Sequence, residues 1–196
     1  MKMTARELRE AQEEDEKLKE RLKTIKRHPI YFILENVYDT YNVGGLFRLA
    51  DALAIEKIYL CGQTEIPPNP KIKKASIGTY KMISWEYKAT AREAINDLRS
   101  SELWVMGSWS KQKLKTQNSQ PITIIAVEQS EKAIDYRSAN YQTPLALLVG
   151  NETFGVLPET LELVDQIVEI PMWGINKSLN VIVSAAIVSY FAMSKI

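Results

Sequence analysis

The chain has 196 residues, 25 basic and 24 acidic side chains, and a formal net charge of +1. That length suits one domain with a short appendage. The balanced charge excludes a global field for a nucleic-acid partner, so any such binding rests on local patches or on a dimer that combines them. The single cysteine, Cys61, excludes a disulfide framework or a cysteine-built zinc site within one chain and points to a reducing, cytoplasmic setting. The charged N-terminus predicts no signal peptide. The longest apolar stretch, Leu179 to Met193, falls short of the ~20 residues that span a bilayer, so a soluble protein is expected.

Residues 4 to 27 are densely charged. Thr4 and Glu7 have capping-box spacing, and Leu8, Ala11, Leu18, Leu22 and Ile25 fall on one helical stripe. This predicts a helical extension over 1–28, either docked along one thin edge or used to grip a substrate through Lys19, Arg21, Lys23, Lys26 and Arg27. Pro29 ends it, and the main domain is expected over 29–196. Ile30 to Leu34 reads as a buried strand, Glu35 to Asn42 as a polar loop, and Val43 to Leu53 as a helix. Gly44 and Gly45 at that helix start suggest a close backbone approach. Ile58 to Cys61 is the next strand. Gln63 to Lys74 is expected to be a proline-broken loop carrying Lys71, Lys73 and Lys74. Met82 to Trp85 is a short strand, and Thr90 to Ser100 an amphipathic helix capped by Thr90 with Glu93 as partner.

Leu103 to Met106 reads as a strand, followed by a loop bearing Lys111, Lys113 and Lys115. Further strands are expected at Ile122–Val127, Leu145–Val149 and Ile167–Ile170, with a short helix at Pro158–Leu163. Ser178-Leu179-Asn180 opens a last helix that is apolar nearly all round, and so should be buried on most faces, in the core and across a dimer interface. Strands alternate with helices almost throughout. The expectation is an α/β fold: a mostly parallel sheet with helices on both faces.

Several chemistries are missing. The one histidine, His28, lies outside the strand-end loops, which disfavours a histidine triad or zinc hydrolase. There is no GxxxxGK[ST] and no GxGxxG after a strand. The remaining candidates are Asn, Arg, Ser and Glu, groups that orient a substrate while a cofactor supplies the hard chemistry.

Three ordered segments carry a resemblance: Asn36 to Asn42 (NVYDTYN) continuing to Arg48, LLVGNETFGV at 147–156, and IPMWGINKSLNVIVSAA at 170–186. A weaker match is Lys74 to Gly78. The chain resembles the SpoU (TrmH) family of RNA ribose 2'-O-methyltransferases, in the SPOUT superfamily, over about residues 30–193. The resemblance implies a C-terminal trefoil knot, S-adenosylmethionine as cofactor, and a homodimer. Ala54 departs from the pattern at a turn where the family often has Gly, which implies a small backbone adjustment.

The resemblance also implies residue roles. Arg48 and Asn42 stand at the reacting ribose, and Glu152 organises Asn42 or Arg48. Arginine stays protonated, so Arg48 is better suited to hold a phosphate and stabilise a developing alkoxide than to act as a base. Ser178 and Asn180 sit by the ribose as well, although Ser178 also fits a simple helix cap. Gly150 would let the cofactor approach the backbone, and Ile170, Met172 and Leu179 would line its adenine pocket. Val127 fits that pocket and the core alike. Lys71, Lys73, Lys74, Lys111, Lys113 and Lys115 are candidate phosphate contacts for structured RNA. With only a short helical addition, tRNA is favoured over rRNA. The alternative is a non-catalytic RNA-binding or assembly factor that keeps the fold.

Overall fold

The computed structural model describes residues 2–11, 16–100 and 121–196. The expected single N-terminal helix is two: α1 (Ala5–Glu10) and α2 (Glu16–Lys23). The Thr4–Glu7 capping box is present, but Ala11 leaves helical geometry and ends α1. The lysines of α2 are partly neutralised by its own acids, since Lys19 pairs with Glu16 and Lys23 with Glu20. Leu18 is buried, and Lys81 Nζ donates to Ala11 O, so this arm is docked onto the domain.

The main domain continues through β1 (His28–Glu35), α3 (Thr40–Ala52), β2 (Ile55–Cys61), α4 (Pro70–Ser76), β3 (Ser84–Lys88) and α5 (Ala91–Ser100). After residue 120 come β4 (Thr123–Val127), β5 (Ile134–Asp135), β6 (Leu145–Val149), α6 (Pro158–Leu161), β7 (Gln166–Glu169) and α7 (Val181–Met193). The strand order is β3-β2-β1-β6-β4-β7-β5, and every ladder among the described residues is parallel. The strand expected at Leu103–Met106 and the loop with Lys111, Lys113 and Lys115 lie outside the described residues.

Both faces of the sheet are covered, which is why its central strands read as unbroken apolar runs: β6 is LALLV, and all five residues are buried. On one face, α3, α4 and α7 contribute Leu46, Phe47, Ala50, Ile72, Ala185 and Val188. On the other, α5 buries Ala91, Ala94, Ile95 and Leu98, a spacing of three, one and three that makes a single stripe.

Several expectations need correction. The stretch Gln63–Lys74 is not loop throughout. Asn69 Oδ1 accepts the N–H groups of Lys71 and Ile72, and Pro70 occupies the first helical turn, so α4 starts there and places Lys71, Lys73 and Lys74 on a helix. The polar loop after β1 is shorter than expected, because Asp39 caps α3 and Asn42 is already helical. The short strand expected at Met82 begins at Ser84, after a 3-10 turn over Thr79–Lys81. Ser178 is not the cap of the last helix. Asn180 is, through its Oδ1 and the Ile182 N–H at 2.9 Å. The last helix, α7, is buried or half-buried within one chain except at Val183 and Tyr190, which remain 44% and 55% exposed.

Two local features follow the sequence closely. Ala54 has φ +48°, the left-handed turn that glycine adopts without strain. The glycine pair in α3 serves close packing. A Cβ on Gly44 would lie 2.5 Å from Ala75 Cβ and 2.9 Å from Ser76 N in α4, and one on Gly45 would lie 2.3 Å from Ile182 Cδ1 in α7.

Candidate active site

The carboxyl ends of β1, β4, β6 and β7 converge on one edge of the sheet, where open parallel sheets place their ligands. A cleft of about 580 Å³ opens there. Val127, Gly150, Glu152, Ile170, Met172, Ser178, Leu179 and Asn180 all line it. Its size falls within the ~300–1,000 Å³ of small-molecule sites. Apolar side chains form much of the wall, and Glu128, Glu152 and Glu169 place carboxylates around it. That combination fits a ligand with a flat apolar ring and a positive centre.

At one side of the cleft, three polar side chains from three distant segments form a chain of hydrogen bonds. Asn180 spends its Oδ1 on capping α7, which leaves its Nδ2 to donate to Asn42 Oδ1 at 3.0 Å. The Asn42 amide is thereby oriented with its Nδ2 toward Glu152 Oε1, at 2.8 Å. Glu152 also accepts the backbone N–H groups of Tyr38 and Asp39, at 3.3 and 3.2 Å, at the start of α3. Asn42 is buried, so these bonds determine its orientation with little competition from water.

The remaining sequence candidates are placed differently. Arg48 is exposed on α3, six residues and about 9 Å of helix rise beyond Asn42. It makes no side-chain hydrogen bond or ion pair with the described residues, and it does not line the cleft. Ser178 lines the cleft with its side chain exposed; its N–H donates to Asn176 Oδ1. Lys71, Lys73 and Lys74 are exposed on α4. Lys111 and Lys113 lie outside the described residues. Gly150 lines the cleft, and its own loop also requires a glycine there: a Cβ would meet Gly155 C and Val156 N at 2.3 Å.

Sequence reasoning missed four residues that brace the loops at the strand ends, three of which line the cleft. Glu128, directly after β4, accepts the N–H of Val156 at 2.8 Å and of Gln129 at 2.8 Å, clamping the loop after β6 to the end of β4. Gln129 Nε2 donates to Lys177 O and so ties the segment before Ser178 to the same strand end. Asn151 bridges from the β6 loop to Asn36 O at 2.8 Å, and its Oδ1 accepts from Thr153 and Phe154. Glu35 holds the next stretch, accepting from Leu157 N at 2.9 Å and Thr160 Oγ1 at 2.6 Å. Burial raises the Glu35 pKa, and these two hydrogen bonds only partly oppose it. The available signal was position: Glu35 closes β1 and Glu128 follows β4, the same strand-end rule that singled out Gly150 and Ile170.

Comparison with known proteins places this geometry in a lineage. The model of the SpoU rRNA Methylase family matches residues 29–190. The tRNA (guanosine(18)-2'-O)-methyltransferase of Escherichia coli is 30% identical over 159 residues, 81% of this chain and 60% of that protein. Among solved structures, the AdoMet-bound rRNA methyltransferase of Sinorhizobium meliloti superposes with a TM-score of 0.72 at 25% identity, over 89% of this chain and 60% of that one. The A. aeolicus TrmH/SpoU tRNA modifying enzyme superposes with a TM-score of 0.71 at 26% identity, over 91% and 83%. The chain thus spans about 60% of the length of some of these relatives. The family match runs from β1 into α7 and contains every residue of the Glu152–Asn42–Asn180 chain; the protein belongs to the SpoU rRNA Methylase family.

Proposed function

We propose that this protein is an S-adenosylmethionine-dependent methyltransferase that acts on a ribose 2'-hydroxyl of structured RNA. The observation that carries the reading is the hydrogen-bonded chain Glu152–Asn42–Asn180 beside the strand-end cleft. When bound, S-adenosylmethionine supplies an activated methyl group. Ile170, Met172, Leu179 and Val127 provide the apolar wall for its adenine, and the carboxylates of Glu128, Glu152 and Glu169 favour its cationic sulfonium. The AdoMet-bound relative supports this choice of cofactor.

On the acceptor side, the three-part chain holds Asn42 and Asn180 in fixed orientations, so that positioning is prepaid before the acceptor arrives. Arg48, without a partner among the described residues and about 9 Å of helix rise from Asn42, grips a phosphate beside the acceptor ribose from outside the cleft. Ser178 offers its hydroxyl to the same ribose. Exposed Lys71, Lys73 and Lys74, together with Lys111 and Lys113, contact phosphates further along the RNA. Relatives named as tRNA (guanosine(18)-2'-O)-methyltransferases favour tRNA over rRNA as acceptor.

The working form in this reading is a homodimer. In one chain α7 leaves apolar surface uncovered at Val183 and Tyr190, and Trp173 and Ile175 beside the cleft are 88% and 103% exposed. The C-terminal segment is threaded as a trefoil knot. Support comes from its path: after β7 it passes Gln129 at the end of β4, then returns to α3 through Asn180 and Asn42. Residues 1–28 are an accessory helical arm on a domain of residues 29–196. No helix among the described residues is long and apolar enough to cross a membrane. The single cysteine, Cys61, is a free buried thiol, in keeping with the cytoplasmic setting proposed from cysteine usage.

Calorimetric titration with S-adenosylmethionine, and transfer of its labelled methyl to total tRNA and rRNA, test the reading. Saturable binding with incorporation is expected. Neither binding nor incorporation would leave the non-catalytic RNA-binding reading in its place.

A further inference from the structure

A second cleft, also about 580 Å³, is lined in part by the Tyr38–Asp39 segment. Its lining includes Tyr38, Asp39, Tyr41, Glu65, Asn69 and Lys71. The two clefts share a wall: Glu152 lines the first cleft, and the backbone N–H groups that bond it belong to Tyr38 and Asp39, which line the second.

The chemistry of this second cleft is distinctive. Tyr38 and Tyr41 are 47% and 49% exposed although each has a large apolar ring. Neither hydroxyl forms a hydrogen bond with the described residues. Asp39 and Asn69 are committed as caps, since Asp39 Oδ1 accepts Tyr41 N–H and Asn69 Oδ1 accepts Lys71 N–H. Glu65 and Lys71, by contrast, are exposed and make no ion pair or side-chain hydrogen bond with the described residues. Two half-exposed tyrosines, a carboxylate and a lysine thus line one hollow next to the proposed acceptor site. Unpaired RNA bases are recognised by just such parts: stacking on aromatic rings, hydrogen bonds to the base edge, and a cation for the phosphate.

We infer that this cleft receives an unstacked base of the RNA acceptor, stacked on an exposed tyrosine ring of its lining, Tyr38 or Tyr41, and read at its edge by Glu65. The inference rests on the RNA-methyltransferase reading above. A carboxylate only accepts hydrogen bonds, so it favours a base edge with two adjacent donors. Guanine offers N1–H and N2–H side by side. Uracil pairs its one ring donor with flanking acceptors, adenine and cytosine offer one amino group next to an acceptor, and none of these can satisfy both carboxylate oxygens. The selected base is therefore guanine. Lys71 takes a neighbouring phosphate.

Fluorescence anisotropy with labelled U4GU4 and U9 ribo-oligonucleotides tests this on the full chain. Wild type should bind U4GU4 about tenfold more tightly than U9, or ~1.4 kcal/mol. Glu65→Gln should erase that preference. Tyr41→Ala should weaken both oligonucleotides about tenfold while Tyr41→Phe keeps wild-type affinity, because the ring and not the hydroxyl does the stacking. Calorimetry with S-adenosylmethionine should give wild-type affinity for all three variants, which also reports that they fold. Equal binding of U4GU4 and U9 by wild type, or no effect of Tyr41→Ala, overturns the subsite and leaves the methyltransferase reading standing. No binding of either oligonucleotide, together with no methyl incorporation into tRNA or rRNA, overturns both.

Discussion

Asn42 is an amide between two partners that make opposite demands on it. Glu152 requires a donor and Asn180 Nδ2 requires an acceptor, and the Asn42 amide meets both in only one of its two orientations. Asn42→Ala should therefore cost about 1–3 kcal/mol of stability, from two broken bonds at a buried position. It should also depress methyl transfer strongly while S-adenosylmethionine affinity stays within about tenfold, ~1.4 kcal/mol. Chemical denaturation and calorimetry read these separately; an equal loss of transfer and cofactor binding would mean that Asn42 serves the donor side. Glu35 makes a different demand. Burial raises its pKa above the ordinary 4.5, so the folded state holds the proton more tightly than the unfolded chain does. Its contribution is most favourable at low pH and is lost as pH rises from about 4.5 through the raised folded value. In Glu35→Gln the amide oxygen can accept from Leu157 N–H while its nitrogen donates to Thr160 Oγ1. The melting temperature of the wild type should fall relative to this variant across that window, and parallel pH profiles would contradict the assignment.

At the scale of elements, α3 is the hinge between scaffold and site. Its glycines let it press against α4 on one side and α7 on the other. The two positions differ in what a methyl would meet. On Gly44 it would strike Ser76 N and approach Ile72 O, which are backbone and cannot step aside. On Gly45 it would meet only the Ile182 side chain, at Cδ1 and Cγ1, which can rotate. Alanine gains about 1 kcal/mol of helix propensity at either site. Gly44→Ala should nonetheless lose about 1–3 kcal/mol through overpacking, and Gly45→Ala should be close to neutral. Thermal unfolding of both variants checks that ranking, and a Gly44→Ala protein as stable as the wild type would contradict it.

The same elements show where local sequence was informative. Continuous apolar runs marked β1 and β6 because both faces of the sheet are covered, and the period of α5 marked its single buried stripe. The start of α4 was legible in Asn69-Pro70, a cap followed by a first-turn proline, but the neighbouring prolines and lysines obscured it. The cap of α7 was displaced by two residues because Ser178 and Asn180 are both good caps and only the backbone decides between them. The Glu152–Asn42–Asn180 contacts join residues 110 and 138 positions apart, so no local periodicity contains them; family motifs drew attention to the residues, and the sheet topology brings them together.

For the whole molecule, the uncovered apolar surface is the outstanding feature. The sequence of α7 is apolar on all sides, yet one chain buries only Ala185, Val188, Ser189 and Ala192. A second copy would cover the remainder, so light scattering should report a dimer at micromolar concentration. Val183→Glu, which places a charge on the exposed stripe, should shift it to monomer; a monomeric wild type would contradict the assembly. The central claim concerns chemistry at a ribose. Its most direct test is to incubate the protein with S-adenosylmethionine and total tRNA, digest the RNA to nucleosides, and identify the methylated product by mass spectrometry. The account predicts a 2'-O-methylnucleoside whose neighbouring phosphodiester resists alkali. A methyl group on a base, or no methylated product from either tRNA or rRNA, would contradict it.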